Sequence, residues 1–321
     1  MMNKLKTAVI GVGSLGKHHA RVHAELANEE KIEFVGVCDV DAANAQNVAN
    51  ERECSFYSDW RELLDKVEAV SIVTPTETHA EIAVEFLKRG VSVLVEKPMA
   101  RTLAEADLMI ETAAKSGAKL MVGQLERFNP AIVALRAHVT KPLYFEIHRV
   151  SPFPNRSLDV DVVLDVMIHD LDMVSWFVND EIIAINAVGI PVVSDKVDAA
   201  NVRLEFAKGA VANMTASRIG AEKIRKMRFF QPHEYVVVDY VTKYVALTTL
   251  APNSENPLFG IKINKLQVEE IEPLRAETIA FVDSIINDAP PPISGADGRR
   301  ALDLALQVLE KIETHRNRLQ F

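Results

Sequence analysis

The 321-residue sequence has only two cysteines, Cys38 and Cys54, and no apolar run long enough to span a bilayer. Two cysteines make no disulfide framework, so we expect reduced thiols in a cytoplasmic protein. A transmembrane helix needs about 20 consecutive apolar residues, and we therefore predict no membrane association. The N-terminus has no hydrophobic segment of signal-peptide length, so no secretory leader is predicted.

Positive charge is also scarce, with 36 Lys and Arg against 45 Asp and Glu and a formal net charge of −9. Nucleic-acid-binding surfaces are strongly basic, so we expect no nucleic-acid partner. Apolar residues make up 48% of the chain and charged residues 25%, which is typical of globular proteins. A chain of this length exceeds one typical core and predicts two domains.

Strand-like and helix-like segments alternate regularly through the first 124 residues. Buried strands are predicted at Thr7–Ile10, Glu33–Cys38, Ala69–Val73, Val91–Val95 and Lys119–Gly123, with helical segments between them. Such alternation predicts a doubly wound parallel sheet, so residues 1–124 are expected to form a Rossmann domain of the α/β class.

A glycine-rich sequence, Gly11-Val-Gly13-Ser14-Leu15-Gly16, follows the first strand and opens the first helix. A GxGxxG motif in that position is the fingerprint of a dinucleotide-binding loop. The first glycine permits a tight turn, the second lets the backbone approach a pyrophosphate, and the third lets helix and strand pack closely. The free N–H groups of the helix, which is predicted to start near Ser14, would bind the anion.

Asp39 ends the second predicted strand, where a carboxylate can accept hydrogen bonds from the adenosine ribose hydroxyls. A carboxylate there would repel a 2′-phosphate, so NAD is favoured over NADP. Asp39 could instead cap the following helix, a position for which Asp41 is equally suited.

Three histidines near the glycine motif, His18, His19 and His23, raise the question of a metal site. His19 and His23 share one helical face with apolar residues. We therefore predict partly buried structural histidines and no metal.

The stretch Val91-Ser-Val-Leu-Val-Glu96-Lys97-Pro98 runs from a buried strand straight into an acid, a base and a proline. Ligands of open α/β sheets bind beyond the carboxyl ends of the strands, so this strand would bring Lys97 to the ligand-binding end. Pro98 ends the strand and restricts the backbone of Lys97. The alternative interpretation is an ordinary solvated strand end.

From about Pro142 the pattern changes to strands separated by short loops, with a hairpin turn at Lys208-Gly209. Strands are predicted at Leu143–Val150, Ile183–Val188, Ala199–Phe206, Ala210–Ser217, Ile224–Phe230 and Tyr235–Asp239. Residues 125–321 are therefore expected to form an α+β domain with a large, mostly antiparallel open sheet. A final helix, at about residues 298–317, is predicted to pack back against the chain.

One predicted helix interrupts these strands and places Asp165, His169 and Asp172 at i, i+4 and i+7, on one helical face. Apolar residues flank this polar line, and buried carboxylates are costly unless they face a cleft or pair with cations. A carboxylate one turn away can hold an imidazole and raise its basicity. A surface ladder without function and a metal site are the alternatives, although no second set of ligands is evident.

These motifs resemble the Gfo/Idh/MocA oxidoreductases, a family named for glucose-fructose oxidoreductase and inositol dehydrogenase. The resemblance rests on the glycine motif, Asp39, Thr74-Pro75 with His79, Glu96-Lys97-Pro98 and Gly123–Pro130, and continues through Asp165 and His169. It implies an NAD-dependent dehydrogenase. The lysine–proline bond of this motif is often cis in the family, so a cis bond is expected between Lys97 and Pro98. It also implies that the open sheet face forms a homodimer or homotetramer.

The resemblance assigns roles to individual residues. Lys97, Asp165 and His169 would be catalytic. The cofactor-binding residues would be Gly11, Gly13, Ser14, Leu15, Gly16, Asp39, Thr74, Pro75, His79, Glu96, Lys97 and Gln124. The substrate-binding residues would be Lys97, Arg127, Asn129, Arg156, Asp165 and His169.

The predicted reaction is oxidation of a secondary hydroxyl of a sugar by hydride transfer to nicotinamide. His169 would remove the hydroxyl proton, and Lys97 would stabilise the developing alkoxide. Residues 149–172 resemble branches that act on nucleotide sugars, and the forks of Arg149 and Arg156 suit phosphates. UDP-N-acetylglucosamine oxidised at C3 is therefore the first substrate hypothesis. Inositol or a free monosaccharide is the alternative substrate, and a non-catalytic NAD-binding sensor is the alternative from another class.

Overall fold

The computed structural model of the chain describes residues 4–153, 160–250 and 260–318. It divides the chain into two compact units, of which the first comprises residues 1–125 and 272–302 and the second residues 126–271 and 303–321. The division differs from the predicted one because residues 272–302 return to the first unit. Sequence periodicity reports local structure only, so it does not show which unit a distant helix joins. Among the described residues, no helix is long and apolar enough to cross a membrane.

A six-stranded parallel sheet forms the centre of the first unit, in the order β3-β2-β1-β4-β5-β6. Its strands are β1 (Leu5–Ile10), β2 (Ile32–Cys38), β3 (Ser55–Tyr57), β4 (Ala69–Ile72), β5 (Ser92–Glu96) and β6 (Leu120–Gly123). The connecting helices are α1 (Gly16–Asn28), α2 (Ala42–Arg52), a 3₁₀ helix (Trp60–Leu63), α3 (Thr76–Leu87) and α4 (Leu103–Ser116). The order reverses between β1 and β4, which is where doubly wound sheets bind nucleotides. The predicted Rossmann fold is confirmed.

Every residue of β4, β5 and β6 is buried, as expected of strands covered on both faces. Helix α7 (Pro273–Ile286), which the sequence analysis does not predict, packs on α1 in this unit. Leu274 and Val282 of α7 join Val22 and Leu26 of α1 in one buried apolar cluster. This cluster joins α7 to the first unit.

The second unit is built on an eight-stranded sheet, in the order β14-β13-β12-β11-β7-β10-β9-β8. Only the β7–β10 pair is parallel, so the predicted mostly antiparallel sheet is confirmed. Its strands are β7 (Tyr144–Val150), β8 (Ile182–Ile190), β9 (Ala199–Phe206), β10 (Val211–Ser217), β11 (Ile224–Gln231), β12 (Glu234–Asp239), β13 (Tyr244–Leu250) and β14 (Ile261–Lys265). The prediction lacks β13 and β14, the two strands at one edge.

The remaining elements are short, apart from the last helix. They are a 3₁₀ helix (Leu125–Phe128), α5 (Pro130–Arg136), a π-helical turn (Val163–Met167) that leads into α6 (Ile168–Val178), and α8 (Gly295–Arg316). Helix α8 starts three residues before its predicted first residue. Its residues up to Leu302 belong to the first unit, and those from Asp303 belong to the second.

Candidate active site

The turn after β1 can be formed only with glycine at two positions. Gly11 has a φ of +84°, and a Cβ there would lie 2.6 Å from the carbonyl oxygen of Val73. A Cβ on Gly16 would lie 1.8 Å from the carbonyl oxygen of Gly11. A Cβ on Gly13 would meet no atom of the described residues within 4 Å, so the backbone is accessible there. The turn therefore leaves room for a phosphate group at Gly13.

Ser14 and Leu15 lie in this turn, directly before α1. The helix begins at Gly16, with Leu15 as its N-cap, and so starts two residues later than predicted. Their N–H groups stand at the helix N-terminus, where the partial positive charge of the helix favours an anion.

Asp39 follows β2, and its carboxylate accepts hydrogen bonds from the N–H groups of Val12 at 2.8 Å and Asp41 at 3.0 Å. Asp41 caps α2, because its side chain accepts from the N–H groups of Ala43 and Asn44. The structure therefore assigns the helix cap to Asp41. Asp39 holds the glycine turn against the end of β2, at the position where a ribose binds in this fold.

Thr74 and Pro75 connect β4 to α3, and Thr78 Oγ1 donates to Thr74 Oγ1 at 2.7 Å. They follow the strand that neighbours β1 in the sheet. Their backbone therefore lies at the nucleotide-binding edge, as the prediction requires.

His79, in α3, is 1% exposed and bridges two loops. Its Nε2 lies 2.8 Å from the carbonyl oxygen of Thr74, and its Nδ1 lies 3.0 Å from that of Pro98, which follows a cis bond to Lys97. Burial lowers the pKa of His79, although its contacts with both carbonyls oppose that shift. Both ring nitrogens therefore contact backbone carbonyls of the two loops, and the cofactor contact of His79 stays a prediction.

Strands β5 and β6 end side by side at Glu96 and Gly123, and they place Lys97 and Gln124 directly beyond the sheet. The Glu96 side chain turns into the core, where Oε1 lies 3.0 Å from His19 Nε2. Its Oε2 accepts the N–H of Lys97 at 3.2 Å. Glu96 therefore supports the strand end, and its cofactor contact stays a prediction.

Gln124 is 1% exposed, and its Oε1 has no hydrogen-bond partner within the described part of the chain. A buried amide oxygen without a partner is costly unless a ligand satisfies it. This observation fits the predicted role of Gln124 as a cofactor-binding residue.

His19 and His23 are fully buried, which agrees with the structural role predicted for them. The two ring nitrogens of His23 lie 3.0 Å from the hydroxyls of Thr7 and Ser71. No group of three or more potential metal ligands occurs in the described ranges.

Asp165 and His169, in the second unit, lie on either side of a change in helix type. Asp165 is in the π-helical turn, and His169 is the second residue of α6; both are half-buried. Single π-helical turns are rare and occur frequently at functional sites. The spacing across this turn differs from that of a regular α-helix, and the alignment of the three residues on one face stays a prediction.

Asp172 pairs with a cation, which is one of the two ways in which a buried carboxylate can be stabilised. It forms a bidentate ion pair with Arg127, at 2.7 Å from Nε and 2.6 Å from a terminal nitrogen, and both side chains are almost fully buried. Asn129 caps α5, because its Oδ1 accepts the N–H of Ala131 at 3.1 Å. These contacts give both residues a structural role, and the substrate roles of Arg127 and Asn129 stay predictions. Arg156 lies outside the described residues.

Arg149, which sequence analysis associates with phosphates, is 3% exposed and pairs with two acids. Its guanidinium donates to both oxygens of Asp170, at 2.8 and 2.9 Å, and to Glu126 at 2.7 Å. Burial raises the pKa of Glu126, whereas the charges of Arg149 and Arg225 lower it. The effect of the two arginines is the larger, so the pKa of Glu126 lies below its usual value. Arg149 is therefore a structural residue, and no sequence signal distinguishes it from a ligand-binding arginine.

The glycine turn, Asp39 and a lysine at the end of β5 define the class of dinucleotide-dependent oxidoreductases. Residues 5–124 match the family model described as an oxidoreductase family with an NAD-binding Rossmann fold. Residues 131–231 match the GFO/IDH/MocA C-terminal domain. The chain belongs to the Gfo/Idh/MocA oxidoreductase family, and its cofactor is NAD.

Several characterised proteins are similar over the full length. The chain is 37% identical over 313 residues to UDP-N-acetylglucosamine 3-dehydrogenase from Acidithiobacillus ferrooxidans, covering 97% of this chain and 98% of that protein. A solved structure of that enzyme has a TM-score of 0.90 at 36% identity and covers 98% of this chain and 99% of that one. Myo-inositol 2-dehydrogenase from Thermotoga maritima is 26% identical, with 98% of each chain covered. Levoglucosan dehydrogenase, solved with NADH and levoglucosan, shares the fold at a TM-score of 0.86 and 20% identity over 97% of each chain.

The residues at the end of the parallel sheet fit NAD. The open space at Gly13 suits the pyrophosphate, the Asp39 carboxylate suits the ribose, and the unsatisfied Gln124 oxygen is a further acceptor. A carboxylate at this position would repel a 2′-phosphate, which agrees with NAD as the cofactor.

Proposed function

We propose that the protein oxidises the C3 hydroxyl of UDP-N-acetylglucosamine with NAD. The observation that supports this most strongly is the 37% identity, spread over nearly the whole of both chains, to an enzyme with that activity. The family's inositol dehydrogenases support a second candidate, oxidation of inositol or a free monosaccharide.

Bound NAD supplies the hydride acceptor, and the chain supplies the groups that bind the substrate and move its proton. We assign His169 as the general base that removes the hydroxyl proton, a task suited to an imidazole. Lys97 donates to the same oxygen and stabilises its developing negative charge. Asp165 orients His169 or binds a neighbouring hydroxyl.

The proposal is tested by mixing the purified protein and NAD with UDP-N-acetylglucosamine, other UDP-sugars, monosaccharides and inositols. We expect nicotinamide absorbance to increase with UDP-N-acetylglucosamine, and the product to be a 3-keto sugar. Turnover of inositol or a monosaccharide alone would favour the second candidate. Tight NADH binding without turnover of any compound would identify a sensor.

The catalytic assignment is tested with His169→Ala and Lys97→Met. Each variant should lose about 10²–10⁴-fold in kcat, because a positioned proton-transfer group contributes about that much. NADH binding, followed by fluorescence, should be unchanged in His169→Ala. Near-normal turnover by either variant would contradict its assigned role.

We further propose that the protein is a cytoplasmic homodimer or homotetramer. Cys38 and Cys54 are both free thiols, and burial raises the pKa of Cys38 to about 12 and that of Cys54 to about 11. Such thiols are poorly reactive. Free cysteines are usual in proteins of a reducing compartment, which supports the cytoplasmic location. The half-exposed face of the eight-stranded sheet is the proposed contact between chains.

A further inference from the structure

A buried ion pair in the second unit lies beside the residues that lead into the π-helical turn. Arg218 directly follows β10, Asp198 directly precedes β9, and both side chains are fully buried. Arg218 Nε donates to Asp198 Oδ1 at 2.8 Å. A buried ion pair is by itself weak evidence of stabilisation, because taking two charges out of water offsets their attraction. The other hydrogen bonds of the two side chains show what the pair holds in place.

Asp198 fixes the β8–β9 loop, which consists of residues 191–198. Its Oδ2 accepts the N–H groups of Val192, Val193 and Ser194, at 2.8, 2.7 and 3.0 Å. The side chains of Val192 and Val193 are 57% and 59% exposed, so they contribute little packing. The conformation of the loop therefore depends on the Asp198 carboxylate rather than on an apolar core.

Arg218 connects this loop to the chain before the π-helical turn. Its two terminal nitrogens donate to Ser194 Oγ at 3.0 Å and to the carbonyl oxygen of Val160 at 2.7 Å. A guanidinium carries five N–H donors in a rigid plane, so one side chain can fix three acceptors at once. The ammonium of a lysine is a single point on a flexible stem and could not hold the same three acceptors.

The β8–β9 loop makes a second contact with the same segment. The N–H of Val197 donates to Asp161 Oδ1 at 2.8 Å, and its carbonyl oxygen accepts the N–H of Val162 at 2.9 Å. The carbonyl oxygen of Asp161 in turn accepts the N–H of Asp165, which lies in the π-helical turn, at 3.0 Å. One hydrogen bond therefore joins the segment held by the loop to the residue that is proposed to orient His169 or bind a substrate hydroxyl.

We propose that Arg218 and Asp161 are positioning residues, which fix the start of the π-helical turn and thereby the place of Asp165. This inference rests on the proposed function. Arg218 acts through the Val160 carbonyl and the β8–β9 loop, and Asp161 acts through its side chain and its own carbonyl. All these residues belong to one unit. Without their hydrogen bonds the turn shifts, and Asp165 loses the geometry that His169 or the substrate requires.

Asp161 offers the milder test, because it is only half-buried and its replacement leaves no buried charge unpaired. Asp161→Ala removes the acceptor of the Val197 N–H, whereas Asp161→Asn keeps an oxygen in the same place. Asp180→Ala is the matched control. Asp180 is also half-buried and accepts one loop N–H, that of Lys208 at 2.7 Å, but it lies beyond the C-terminal end of α6. It also pairs with the Lys208 ammonium at 3.2 Å.

We expect Asp180→Ala to lower the melting temperature at least as much as Asp161→Ala does and to keep the wild-type kcat. Asp161→Ala should lose about tenfold to 10²-fold in kcat, since misplacing a catalytic group by about 1 Å costs up to 10²-fold. Its Kd for NADH should stay within about twofold of the wild-type value, because the loss concerns the reaction step and not cofactor binding. Asp161→Asn should regain most of the kcat.

Arg218→Lys tests the other positioning residue. It keeps a cation beside Asp198 but cannot reach Ser194 and Val160 together, so its kcat should fall in the same range of about tenfold to 10²-fold.

A second measurement does not depend on the substrate. Hydrogen–deuterium exchange with mass spectrometry reports how often the Asp165 N–H leaves its hydrogen bond to Asp161. Peptides that contain Asp165 should exchange about tenfold faster in Asp161→Ala and Arg218→Lys, since one hydrogen bond is worth about that factor. They should exchange at the wild-type rate in Asp161→Asn and Asp180→Ala.

The inference would be overturned by wild-type kcat in Asp161→Ala or Arg218→Lys, or by an equal loss of kcat in Asp161→Asn or Asp180→Ala. Unchanged exchange at Asp165 would also overturn it, because kcat would then fall without any movement of the turn. Failure of the proposed function would show instead as wild-type protein that oxidises no compound. The exchange rates would then still decide whether Arg218 and Asp161 fix the turn.

Discussion

The interior of the second unit contains a buried arginine that is paired with two acids. Arg149 is almost fully buried between Asp170 and Glu126, and the ring of Tyr240 lies over its guanidinium at 5.3 Å. These charge-assisted contacts use three of the five N–H donors of the guanidinium. Removing the cation would leave the buried Asp170 carboxylate without this ion pair, and Glu126 with only the more distant Arg225, at 3.7 Å, as a cation.

Replacing this arginine tests its structural role. We expect Arg149→Met to lower the free energy of unfolding by about 3–5 kcal/mol, because breaking a buried ion pair leaves uncompensated charge. Arg203→Met is the control, since Arg203 and its partner Glu205 are each about 40% exposed in an ion pair of the same sheet. It should cost less than about 1 kcal/mol. Urea unfolding measures both, and similar values for the two variants would contradict the expectation.

At the scale of elements, Asp39 and Asp41 have different hydrogen-bond partners at the junction of β2 and α2. Asp41 caps the helix, whereas Asp39 accepts from the glycine turn after β1. Sequence spacing permits either assignment, because both residues stand just before the helix. Hydrogen-bond geometry separates them.

A matched pair of substitutions checks this division. Asp41→Ala should lower the free energy of unfolding by about 1 kcal/mol, the usual value of an N-cap, and leave NAD affinity unchanged. Asp39→Ala should weaken NAD binding by about 10–100-fold, because the hydrogen bonds predicted between this carboxylate and the ribose would be charge-assisted. Urea unfolding measures the free energy of unfolding of each variant, and NADH fluorescence titration measures its affinity for the cofactor. Loss of NAD affinity in the Asp41 variant would mean that the two roles are not separate.

At the scale of the whole molecule, the half-exposed face of the eight-stranded sheet carries aromatic and polar side chains that are partly accessible to solvent. Tyr144, Phe230 and Tyr235 stack across three adjacent strands, with ring centroids 5.7 and 4.7 Å apart. Phe230 is 41% exposed. Aromatic residues are enriched in the buried centres of protein interfaces, so this row suits a contact with a second copy of the chain.

Light scattering after size-exclusion chromatography tests that contact. The wild type should have the mass of two or four chains, and Phe230→Arg should reduce it, because the contact would then bury an unpaired charge. Phe56→Arg is the control, since Phe56 is similarly exposed, at 44%, on the edge strand of the other unit. A monomeric wild type, or an unchanged mass in Phe230→Arg, would contradict the proposal.

Much of the fold could be predicted because its signals are local. Buried runs such as Ser92–Glu96 and alternating strands such as Ala199–Phe206 show their burial in their own sequences. The edge strand Ile261–Lys265 could not be recognised in this way, because all its residues are exposed. The sequence analysis does not predict helix α7 for another reason. Its apolar face is interrupted by Glu277, and the residues on which that face packs belong to α1, about 250 residues earlier in the chain.

The sequence by itself determined the nucleotide-binding turn, because no residue with a Cβ fits at Gly11 or Gly16. It also determined the position of Lys97, since a buried strand followed by proline leaves the lysine at the strand end. Only the tertiary structure decided the partners of the charged side chains: Asp172 binds Arg127, Arg149 binds Asp170, and Glu96 binds His19. Backbone conformation follows from neighbouring residues, whereas an ion pair joins groups whose separation along the chain carries no local signal.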